Sequence, residues 1–585
     1  MDSFTNLPSL LLRMADRDPE RKNFFQKKNG VYTGTGHLSF CNQVDELAQQ
    51  LTQWGVRSGD RVALFSPNCA EWVLADIAVL SIGAVVVPLY PTLSAEEVKH
   101  IIADSGSKLV FIHDQDQFKT VKTAELEGQL HVVSFMPVPG CNCVQVDPKA
   151  TAAPISSEFR EQIAQIPRNA LASIVYTSGT TGNPKGVELS HGNFLSNVED
   201  LMQIFAIDER DSVLSFLPLS HVFERTVGYY TLLGFCGSVY YAENMDTVSQ
   251  NMAEVKPTIL ISVPRVYEKI QARILDRITP IKRPIFNTAV EIGKRYHAQK
   301  SAGSLSVGIK ILHALANLLV YRSVHKRTGG KLRFFVSGGA PLSKALAEFF
   351  INLDLLIIEG YGMTESAPII ACNRETEYQF GSVGKALPSV QARISDDGEL
   401  CVKGPNVMRQ YHNLPTATAE ILDTDGWLHT GDIATIDEQG FIRIIDRKKE
   451  IIVMSNGKKV PPQKIEELLK ASRYVSQAIV IGDNRNFLTA LIVPEFEALT
   501  KFLASTGISE SDPESIAKHQ ACITEVLNDI ESQLSDCANY EKIKKIALIP
   551  AAFATETGEL TVTLKLRRKF IAEKFTREID AMYAN

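Results

Sequence analysis

Short apolar runs rich in β-branched residues alternate with helix-periodic stretches through most of the first 400 residues. This alternation is the feature that most constrains the fold. The predicted strands include 61–65, 84–88, 108–112 and 258–263, and the predicted helices between them include 95–103 and 193–205. Such a pattern predicts an α/β architecture with substantially parallel sheets.

Length and charge narrow the classes of protein. A chain of 585 residues is long enough for a few domains with large cores. Its net charge of -6 gives no bias toward nucleic acid, so we expect no nucleic-acid partner. Of the nine cysteines only Cys141 and Cys143 lie close together, and no second pair completes a cysteine zinc site. We therefore expect thiols in a reducing cytoplasm.

One segment departs from the overall acidity. Residues 265–331 carry a net charge of +11 and contain the apolar stretch 309–321. We expect a basic helical insertion, and two interpretations stay open: contact with an anionic membrane surface, or a solvated helical face. The apolar run at 10–12 is too short for a secretory signal, and no run reaches the ~18 residues of a membrane span.

A second departure predicts a domain boundary. Residues 440–445 have a strand pattern, the charged cluster 446–450 follows, and strands are expected again at 477–481 and 488–494. Since a charged junction between two patterned segments is typical of a linker, we predict an N-terminal domain of residues 1–445 and a C-terminal domain of residues 446–585.

The stretch from Tyr176 to Gly186 is the strongest local signal of function. It follows the apolar run 171–175 and packs three glycines, hydroxyl side chains and Lys185 into eleven residues. Glycines let backbone N–H groups approach oxyanions, and a lysine adds charge, so a phosphate cradle is one interpretation. A surface turn is the other. The Walker pattern is excluded, because Lys185 lies three residues beyond Gly182 and follows Pro184.

Three further glycine-containing turns follow short apolar runs, at 335–342, 359–365 and 426–432. All three contain an aromatic or hydroxyl side chain, and the second and third also contain an acid. An adenine nucleotide needs a flat apolar slot, a carboxylate for the ribose hydroxyls and an acid for Mg²⁺. Each turn alone is a weak signal.

In this order and spacing the motifs resemble those of the adenylate-forming superfamily, most closely the long-chain fatty-acid–CoA ligases. The resemblance spans nearly the whole chain and includes the stretches 217–225, 263–269, 381–384 and 403–408. It implies a large N-terminal adenylation domain of packed mixed sheets with flanking helices, and a small mobile α+β C-terminal domain. It also implies two steps: a fatty acid and ATP form an acyl-adenylate, which CoA then converts to acyl-CoA.

The resemblance assigns the nucleotide-binding residues. The phosphates would be held by Thr177, Ser178, Gly179, Thr180, Thr181, Gly182 and Lys185. Glu365 would bind Mg²⁺ with help from Thr180 or Thr364. The adenine slot would be formed by Gly338, Gly339, Ala340 and Tyr361, beside Gly362. Each assignment has a non-functional alternative. The stretch 177–185 would be a structural turn, Glu365 an exposed loop acid, and Tyr361 an ordinary packed side chain.

The remaining assignments concern the ribose, the reacting carboxylate and the second domain. Asp432 would bind the ribose with Arg447 as its partner, and His221 would lie beside the reacting carboxylate. Lys449 falls at the hinge between the domains. Lys565 would be the catalytic lysine, with Lys569 as the second choice, although both sit in a run of basic residues that suits a solvated helix.

The sequence thus predicts a cytoplasmic enzyme that uses ATP, Mg²⁺ and CoA on a fatty acid, with a peripheral membrane contact through 265–331 left open. Two rivals remain: a fatty acyl-AMP ligase that loads a carrier protein, and a non-catalytic fatty-acid or nucleotide binder. One departure from the family pattern is Gln410, where relatives usually have glycine before the tyrosine. It puts the geometry of that loop in doubt.

Overall fold

The structure is a computed structural model. It describes residues 4–126, 128, 130–144, 153–177, 184–535, 537–555, 557–560 and 566–584. Ser178, Gly179, Thr180, Thr181, Gly182 and Lys565 lie outside the described residues.

The strands are β1 (Lys22–Lys28), β2 (Val31–Gly36), β3 (Arg61–Phe65), β4 (Val85–Leu89), β5 (Leu109–Ile112), β6 (His131–Ser134), β7 (Asn142–Cys143), β8 (Leu171–Thr177), β9 (Lys185–Ser190), β10 (Ser212–Ser215), β11 (Ser238–Tyr241), β12 (Ile259–Ser262), β13 (Phe334–Ser337), β14 (Leu356–Gly362), β15 (Ile369–Cys372), β16 (Lys385–Ala386), β17 (Gln391–Ile394), β18 (Glu399–Lys403), β19 (Gln410–Tyr411), β20 (Leu428–Ile436), β21 (Ile442–Arg447), β22 (Ile452–Val453), β23 (Lys459–Val460), β24 (Val475–Ile481), β25 (Leu488–Pro494) and β26 (Ile543–Leu548).

The α-helices are α1 (Pro8–Arg17), α2 (His37–Gln53), α3 (Ala70–Ser81), α4 (Ala95–Ser105), α5 (Gln115–Thr123), α6 (Ser157–Ala164), α7 (His191–Ile204), α8 (Thr231–Gly234), α9 (Val248–Val255), α10 (Pro264–Asp276), α11 (Arg283–Ser301), α12 (Val307–Ala316), α13 (Arg322–His325), α14 (Lys344–Ile351), α15 (Pro415–Ala419), α16 (Pro462–Lys470), α17 (Phe496–Ser505), α18 (Pro513–Lys518), α19 (Gln520–Gln533), α20 (Arg568–Lys574) and α21 (Thr576–Tyr583).

Two large mixed sheets form the N-terminal part. The first has nine strands in the order β16-β15-β14-β13-β12-β10-β11-β1-β2, and the second has eight in the order β19-β9-β8-β4-β3-β5-β6-β7. The strands from β14 through β12, β10 and β11 to β1 are parallel, and antiparallel pairs stand at the edges. A four-stranded antiparallel sheet, β17-β18-β20-β21, completes this part. The predicted α/β architecture of packed mixed sheets is confirmed.

The predicted elements are confirmed, with small shifts at their ends. The helix predicted from residue 193 begins at His191, because Ser190 caps it and accepts a hydrogen bond from the Asn193 backbone N–H. The strand predicted at 440–445 runs instead from Ile442 to Arg447, because Asp446 and Arg447 continue the pairing with β20. The charged cluster therefore begins inside β21 rather than after it.

The C-terminal part is smaller and has its own core. A three-stranded sheet, β24-β25-β26, packs with α16 and α19 around a buried apolar cluster that extends from Ile452 to Leu548. A smaller cluster on the other face includes Ile479, Ile571 and Ile579. The small α+β unit is confirmed, while its mobility and the boundary at residue 446 stay predictions.

The basic segment 265–331 is helical, as predicted. It comprises α10 to α13, a π-helix (Asn317–Tyr321) and a short 3₁₀ helix (Lys326–Thr328). Val307–Thr328 forms one continuous helix of 22 residues, and among the described residues it alone is long and apolar enough to cross a membrane, with 22% of its apolar window buried. This helix is longer than the apolar run in the sequence indicated.

Candidate active site

A cavity of about 1440 Å³ lies where the two large sheets, the four-stranded sheet and the C-terminal part meet. Its volume exceeds the ~300–1,000 Å³ of an ordinary small-molecule pocket. Its lining contains both charged and apolar groups. We call the part around Lys185, Glu365 and Arg447 the polar end, and the part around Ile259, Phe334 and Leu232 the apolar arm. Ten of the predicted site residues line it: Thr177, Lys185, His221, Gly338, Gly339, Tyr361, Gly362, Thr364, Glu365 and Arg447. Lys449, at the predicted hinge, lines it too.

The two residues that flank the glycine-rich stretch, Thr177 and Lys185, lie at this cavity. Strands β8 and β9 are antiparallel, and Thr177 pairs with Lys185, so residues 178–183 connect two adjacent strand ends. The five phosphate-binding residues predicted between them lie outside the described residues, and their role stays a prediction.

Glu365 sits at the polar end, on a 3₁₀ helix (Thr364–Ser366) that follows β14. Its side chain is buried rather than exposed, and its Oε1 accepts a hydrogen bond of 2.5 Å from the Tyr411 hydroxyl. The Lys185 Nζ lies 4.9 Å from the centre of the same Tyr411 ring. Tyr411 therefore links the predicted phosphate-binding lysine to the predicted metal-binding acid.

Tyr411 owes its position to a strand pairing. β19 pairs with β9, and the Gln410 side chain donates to the Glu188 carboxylate at 3.0 Å. Gln410, where relatives usually have glycine, is thus accommodated by the strand pairing and by its hydrogen bond to Glu188. The backbone geometry of this segment is regular.

Asp432 and Arg447 are brought together as predicted. They form a cross-strand pair between β20 and β21, with Arg447 Nε 3.3 Å from Asp432 Oδ1. The Tyr361 hydroxyl donates to Asp432 Oδ2 at 2.5 Å. Burial, together with the nearby Asp432 carboxylate, holds the pKa of Tyr361 well above its ordinary value, so the phenol stays a donor.

The turn after β13 supplies a narrow slot. A side-chain carbon at Gly338 would lie 2.8 Å from the Phe223 ring, so only glycine fits that aromatic face. Gly362, after Tyr361, is equally restricted: a side-chain carbon there would lie 1.8 Å from the Pro368 carbonyl oxygen. Ala340, which was predicted with the slot, is exposed and does not line the cavity.

His221 also lines the cavity, beside Tyr90 and Phe223, which line it too. Its Nδ1 accepts a hydrogen bond from the Phe223 backbone N–H at 3.1 Å, and its ring meets Tyr90 edge-on at 6.4 Å. The next residues form a π-helix (Glu224–Tyr230), a rare element that is frequent at functional sites. Buried Arg225 anchors this element through Asp76 and through the Ser173 hydroxyl at 2.7 Å.

The apolar arm of the cavity runs along one face of the nine-stranded sheet. Ile259 pairs with Phe334, and Ile261 pairs with Val336, which also pairs with Ile358. These five side chains share one face because they alternate along β12, β13 and β14. The opposite wall comes from α7, the π-helix and α8 through Leu201, Val227 and Leu232, with Phe205 and Ile207 beyond α7.

The C-terminal part closes the polar end. Arg568 on α20 makes two hydrogen bonds of 2.6 Å to Glu466 and one of 2.9 Å to Glu450, next to the predicted hinge. Lys569 lines the cavity. Leu560 and Leu566 form an antiparallel bridge on either side of residues 561–565. Lys565 belongs to that undescribed segment, and its catalytic role stays a prediction.

The comparisons with known proteins agree with this geometry. A family profile described as "AMP-binding enzyme" matches residues 14–412, and one described as "AMP-binding enzyme C-terminal domain" matches residues 449–585. The chain belongs to the AMP-binding enzyme family.

Two curated members of the family match over most of their length. Long-chain-fatty-acid–CoA ligase FadD15 of Mycobacterium bovis is 34% identical, over 99% of this chain and 97% of that protein. Long-chain-fatty-acid–CoA ligase 5 of Rattus norvegicus is 30% identical, over 96% of this chain and 85% of that protein.

Solved structures share the fold at lower identity. The anthranilate CoA ligase AuaEII, in complex with anthranoyl-AMP, gives a TM-score of 0.71 at 18% identity and covers 98% of each chain. ATP-bound MatB from Rhodopseudomonas palustris gives 0.70 at 23% identity, over 97% of this chain and 99% of that one.

Several cavity residues were not found from the sequence. Tyr411 contacts Glu365 across 46 residues. Lys448, which binds Asp397 at 2.6 Å and Glu399 at 2.9 Å, holds the predicted hinge to the four-stranded sheet. No local pattern marks either residue, because each acts through a partner that is distant in the chain.

Proposed function

We propose that this enzyme activates a long-chain fatty acid with ATP and transfers the acyl group to CoA. The observation that carries the proposal is one cavity whose lining combines the charged residues of the polar end with the apolar side chains of the arm. Such a shape fits one substrate with a charged reacting end and a hydrocarbon tail beside a nucleotide. The full-length similarity to proteins named long-chain-fatty-acid–CoA ligases supports the choice of substrate.

In the first step a carboxylate oxygen of the fatty acid attacks the α-phosphorus of ATP. The bond between that phosphorus and the bridging oxygen of the β-phosphate breaks, and pyrophosphate leaves. Lys185 and the glycine-rich loop are proposed to hold the leaving phosphates. Because little covalent help is needed in phosphoryl-type transfer, positioning and charge neutralisation supply most of the catalysis.

In the second step the sulfur of CoA attacks the carbonyl carbon of the acyl-adenylate. The carbon–oxygen bond to AMP breaks, AMP leaves, and the thiol proton passes to solvent. The thiol could not form the thioester from the fatty carboxylate directly, because oxide would have to leave and is a very poor leaving group. AMP, by contrast, is a good leaving group. His221, which lines the cavity, is proposed to lie beside this carbonyl.

The polar end fits a magnesium ion. Mg²⁺ prefers oxygen ligands, and the Glu365 carboxylate and the Thr364 hydroxyl both line the cavity. Bound there, the ion would neutralise charge on the transferring phosphates. On the nucleotide, Asp432 is proposed to bind the ribose, with Tyr361 and Arg447 fixing the orientation of its carboxylate.

The proposal is tested by supplying the purified protein with palmitate, ATP, Mg²⁺ and CoA. We expect palmitoyl-CoA, AMP and pyrophosphate in equal amounts. Acyl-adenylate that accumulates despite added CoA would favour instead an enzyme that loads a carrier protein. ATP and fatty acid that bind without pyrophosphate release would indicate a non-catalytic binder.

We also propose that this enzyme is cytoplasmic and docks on an anionic bilayer through the basic insertion. Apolar side chains form an exposed stripe along the helix Val307–Thr328, and Leu319 is 68% exposed. The stripe consists of Val307, Ile311, Leu312, Leu315, Leu318 and Leu319. Exposed Lys310, Arg322 and Arg327 lie on the same helix, and each basic residue adds about 1 kcal/mol near an anionic surface.

Sedimentation with phosphatidylserine vesicles tests the docking surface. We expect the Leu315→Glu and Leu319→Glu double variant to stay in the supernatant, because two charges would enter the apolar layer. Val31→Glu changes a similarly exposed apolar residue outside the stripe and should bind like the wild type. Equal binding by both variants would rule out this surface.

A further inference from the structure

Two histidines and one aspartate meet at the base of the basic insertion. His297 lies on α11, His313 lies on α12, and Asp354 lies in the turn between α14 and β14. Their ligand atoms all fall within 4.8 Å of one another. None of the three lines the active-site cavity, so the cluster is separate from the proposed reaction.

The distances suit atoms that share one ion. His297 Nε2 lies 3.0 Å from Asp354 Oδ1, and His313 Nε2 lies 3.1 Å from Asp354 Oδ2. The His297 Nε2 contact is a hydrogen bond, whereas buried His313 Nε2 lies at ion-pair distance from the carboxylate without hydrogen-bond geometry. Two imidazole nitrogens therefore converge on one carboxylate, which is an arrangement that suits a shared cation.

The surrounding structure holds the three side chains in place. The His313 ring stacks on Tyr296 with 3.8 Å between ring centres. One turn before His297, Gly293 lets α11 lie directly on the turn, because a side-chain carbon there would be 2.0 Å from the Asn352 carbonyl oxygen. Asp354 has φ = 60°, a left-handed conformation that Asp adopts more readily than most residues.

We propose that His297, His313 and Asp354 bind one Zn²⁺ ion. Two imidazole nitrogens and one carboxylate oxygen are ligands that Zn²⁺ takes, with a water in the fourth position. Bonds of about 2.0–2.1 Å in a tetrahedron separate ligand atoms by roughly 3.3 Å. Each nitrogen lies 3.0–3.1 Å from one of the two Asp354 oxygens, and all the ligand atoms lie within 4.8 Å of one another, so small side-chain rotations suffice to bind one ion. The ion would clamp α11 and α12 to the turn that leads into β14, the strand that carries Tyr361.

The test measures zinc directly. Untagged protein is treated with chelator, and Zn²⁺ binding is then measured by calorimetry and by metal analysis. We expect one Zn²⁺ per chain, and a Co²⁺-loaded sample should give the visible absorption of a tetrahedral site. His313→Gln and Asp354→Asn should each weaken zinc binding by more than roughly 100-fold. Loss of a residue that only supports a metal ligand weakens binding by at most about 100-fold, so a larger loss identifies a ligand.

His325→Gln is the matched control. The His325 imidazole contacts the same turn, with Nε2 2.8 Å from the Leu353 carbonyl oxygen, but it is not part of the cluster. This variant should keep its zinc. A second measurement needs no variant. Removing zinc with chelator should lower the melting temperature of the wild type, because an ion that binds the folded state stabilises it. Failure of the wild type to bind zinc would overturn the proposal, and so would undiminished binding by His313→Gln and Asp354→Asn.

Discussion

Asp432 contacts two other residues of the proposed nucleotide site, Tyr361 and Arg447. Its two oxygens are occupied by different partners, the Tyr361 hydroxyl and the Arg447 guanidinium. The three residues come from β14, β20 and β21, so two sheets meet at this one side chain. A carboxylate fixed in this way can accept ribose hydroxyls without reorganising.

Asp432→Asn should therefore raise the KM for ATP by about 10- to 100-fold, as a hydrogen bond to a charged group contributes about 1.5–3 kcal/mol. The measurement is initial-rate kinetics with ATP varied at saturating fatty acid and CoA. Asp425→Asn removes an exposed carboxylate from the neighbouring turn and should leave the KM unchanged. An unaltered KM in Asp432→Asn would remove this residue from the ribose site.

Lys565→Ala should abolish adenylate formation and leave ATP binding largely intact, because the lysine is proposed to neutralise charge that develops only during the transfer. Loss of one such electrostatic contact typically costs about 10²- to 10³-fold in rate. Pyrophosphate release and equilibrium binding of ATP are measured side by side. If Lys569→Ala loses the activity and Lys565→Ala keeps it, the second choice from the sequence is the correct one.

At the scale of elements, the apolar arm depends on strand register. Ile259, Ile261, Phe334, Val336 and Ile358 face the cavity because their strands pair in parallel with matched alternation. The sequence predicts these strands from their apolar runs. It does not predict which face of each strand lines a cavity, because both faces are apolar in a buried parallel sheet.

Val336→Phe should narrow this arm and shift the preference toward shorter fatty acids. Val336 is only partly buried because its side chain borders the cavity, so added volume enters the arm rather than the packed core. We expect kcat/KM for palmitate to fall at least tenfold relative to kcat/KM for hexanoate, about the discrimination that a few methylenes provide. Val31→Phe, on exposed strand β2, is the control. An unchanged preference would place the acyl chain elsewhere.

The junction between the two parts contains a carboxyl group that titrates near neutral pH. Asp446 accepts backbone hydrogen bonds from Arg447 at 2.7 Å and from Gln463 on α16 at 3.0 Å. Burial raises the pKa of Asp446 to about 6 from an ordinary value of 3.8. Protonation of Asp446 therefore favours the folded state. Its stabilisation is full below about pH 4 and is lost as the pH rises through about 6.

Asp446→Asn keeps a hydrogen-bond acceptor and cannot ionise. Compared with the wild type, this variant should gain about 1–2 kcal/mol in free energy of unfolding between pH 4 and pH 7.5. Chemical denaturation of both proteins across that range measures the difference. A difference that stays constant with pH would show that Asp446 does not ionise in this window.

Much of the site could be predicted from the sequence because its motifs are local. Glu365, Tyr361 and Arg447 line the cavity, and Asp432, which does not line it, contacts both Tyr361 and Arg447. Tyr411 could not be predicted, since only the pairing of β19 with β9 places it against Glu365. The cluster of His297, His313 and Asp354 could not be predicted for the same reason, because its members are separated in the chain and only the packing of α11 and α12 on the turn before β14 brings them together.

At the scale of the whole molecule, the cavity is lined by the N-terminal sheets and by the C-terminal part, which are distant from each other in the sequence. The end of β8 at Thr177, the slot after β13 and helix α20 belong to different regions of the chain, yet all border one space. Arg568 binds Glu450 and Glu466, which belong to the same C-terminal part, and so fixes α20 within that part. Arg568 and Lys569 on α20 line the cavity. The central claim is that this shared space holds a carboxylate against the α-phosphate of ATP.

Isotope transfer tests that claim most directly. Palmitate labelled with ¹⁸O in its carboxylate is incubated with the enzyme, ATP, Mg²⁺ and CoA, and the products are separated for mass spectrometry. Attack by the carboxylate on the α-phosphorus predicts one ¹⁸O atom in AMP and none in pyrophosphate. Label in inorganic phosphate, or formation of ADP in place of AMP, would contradict the account.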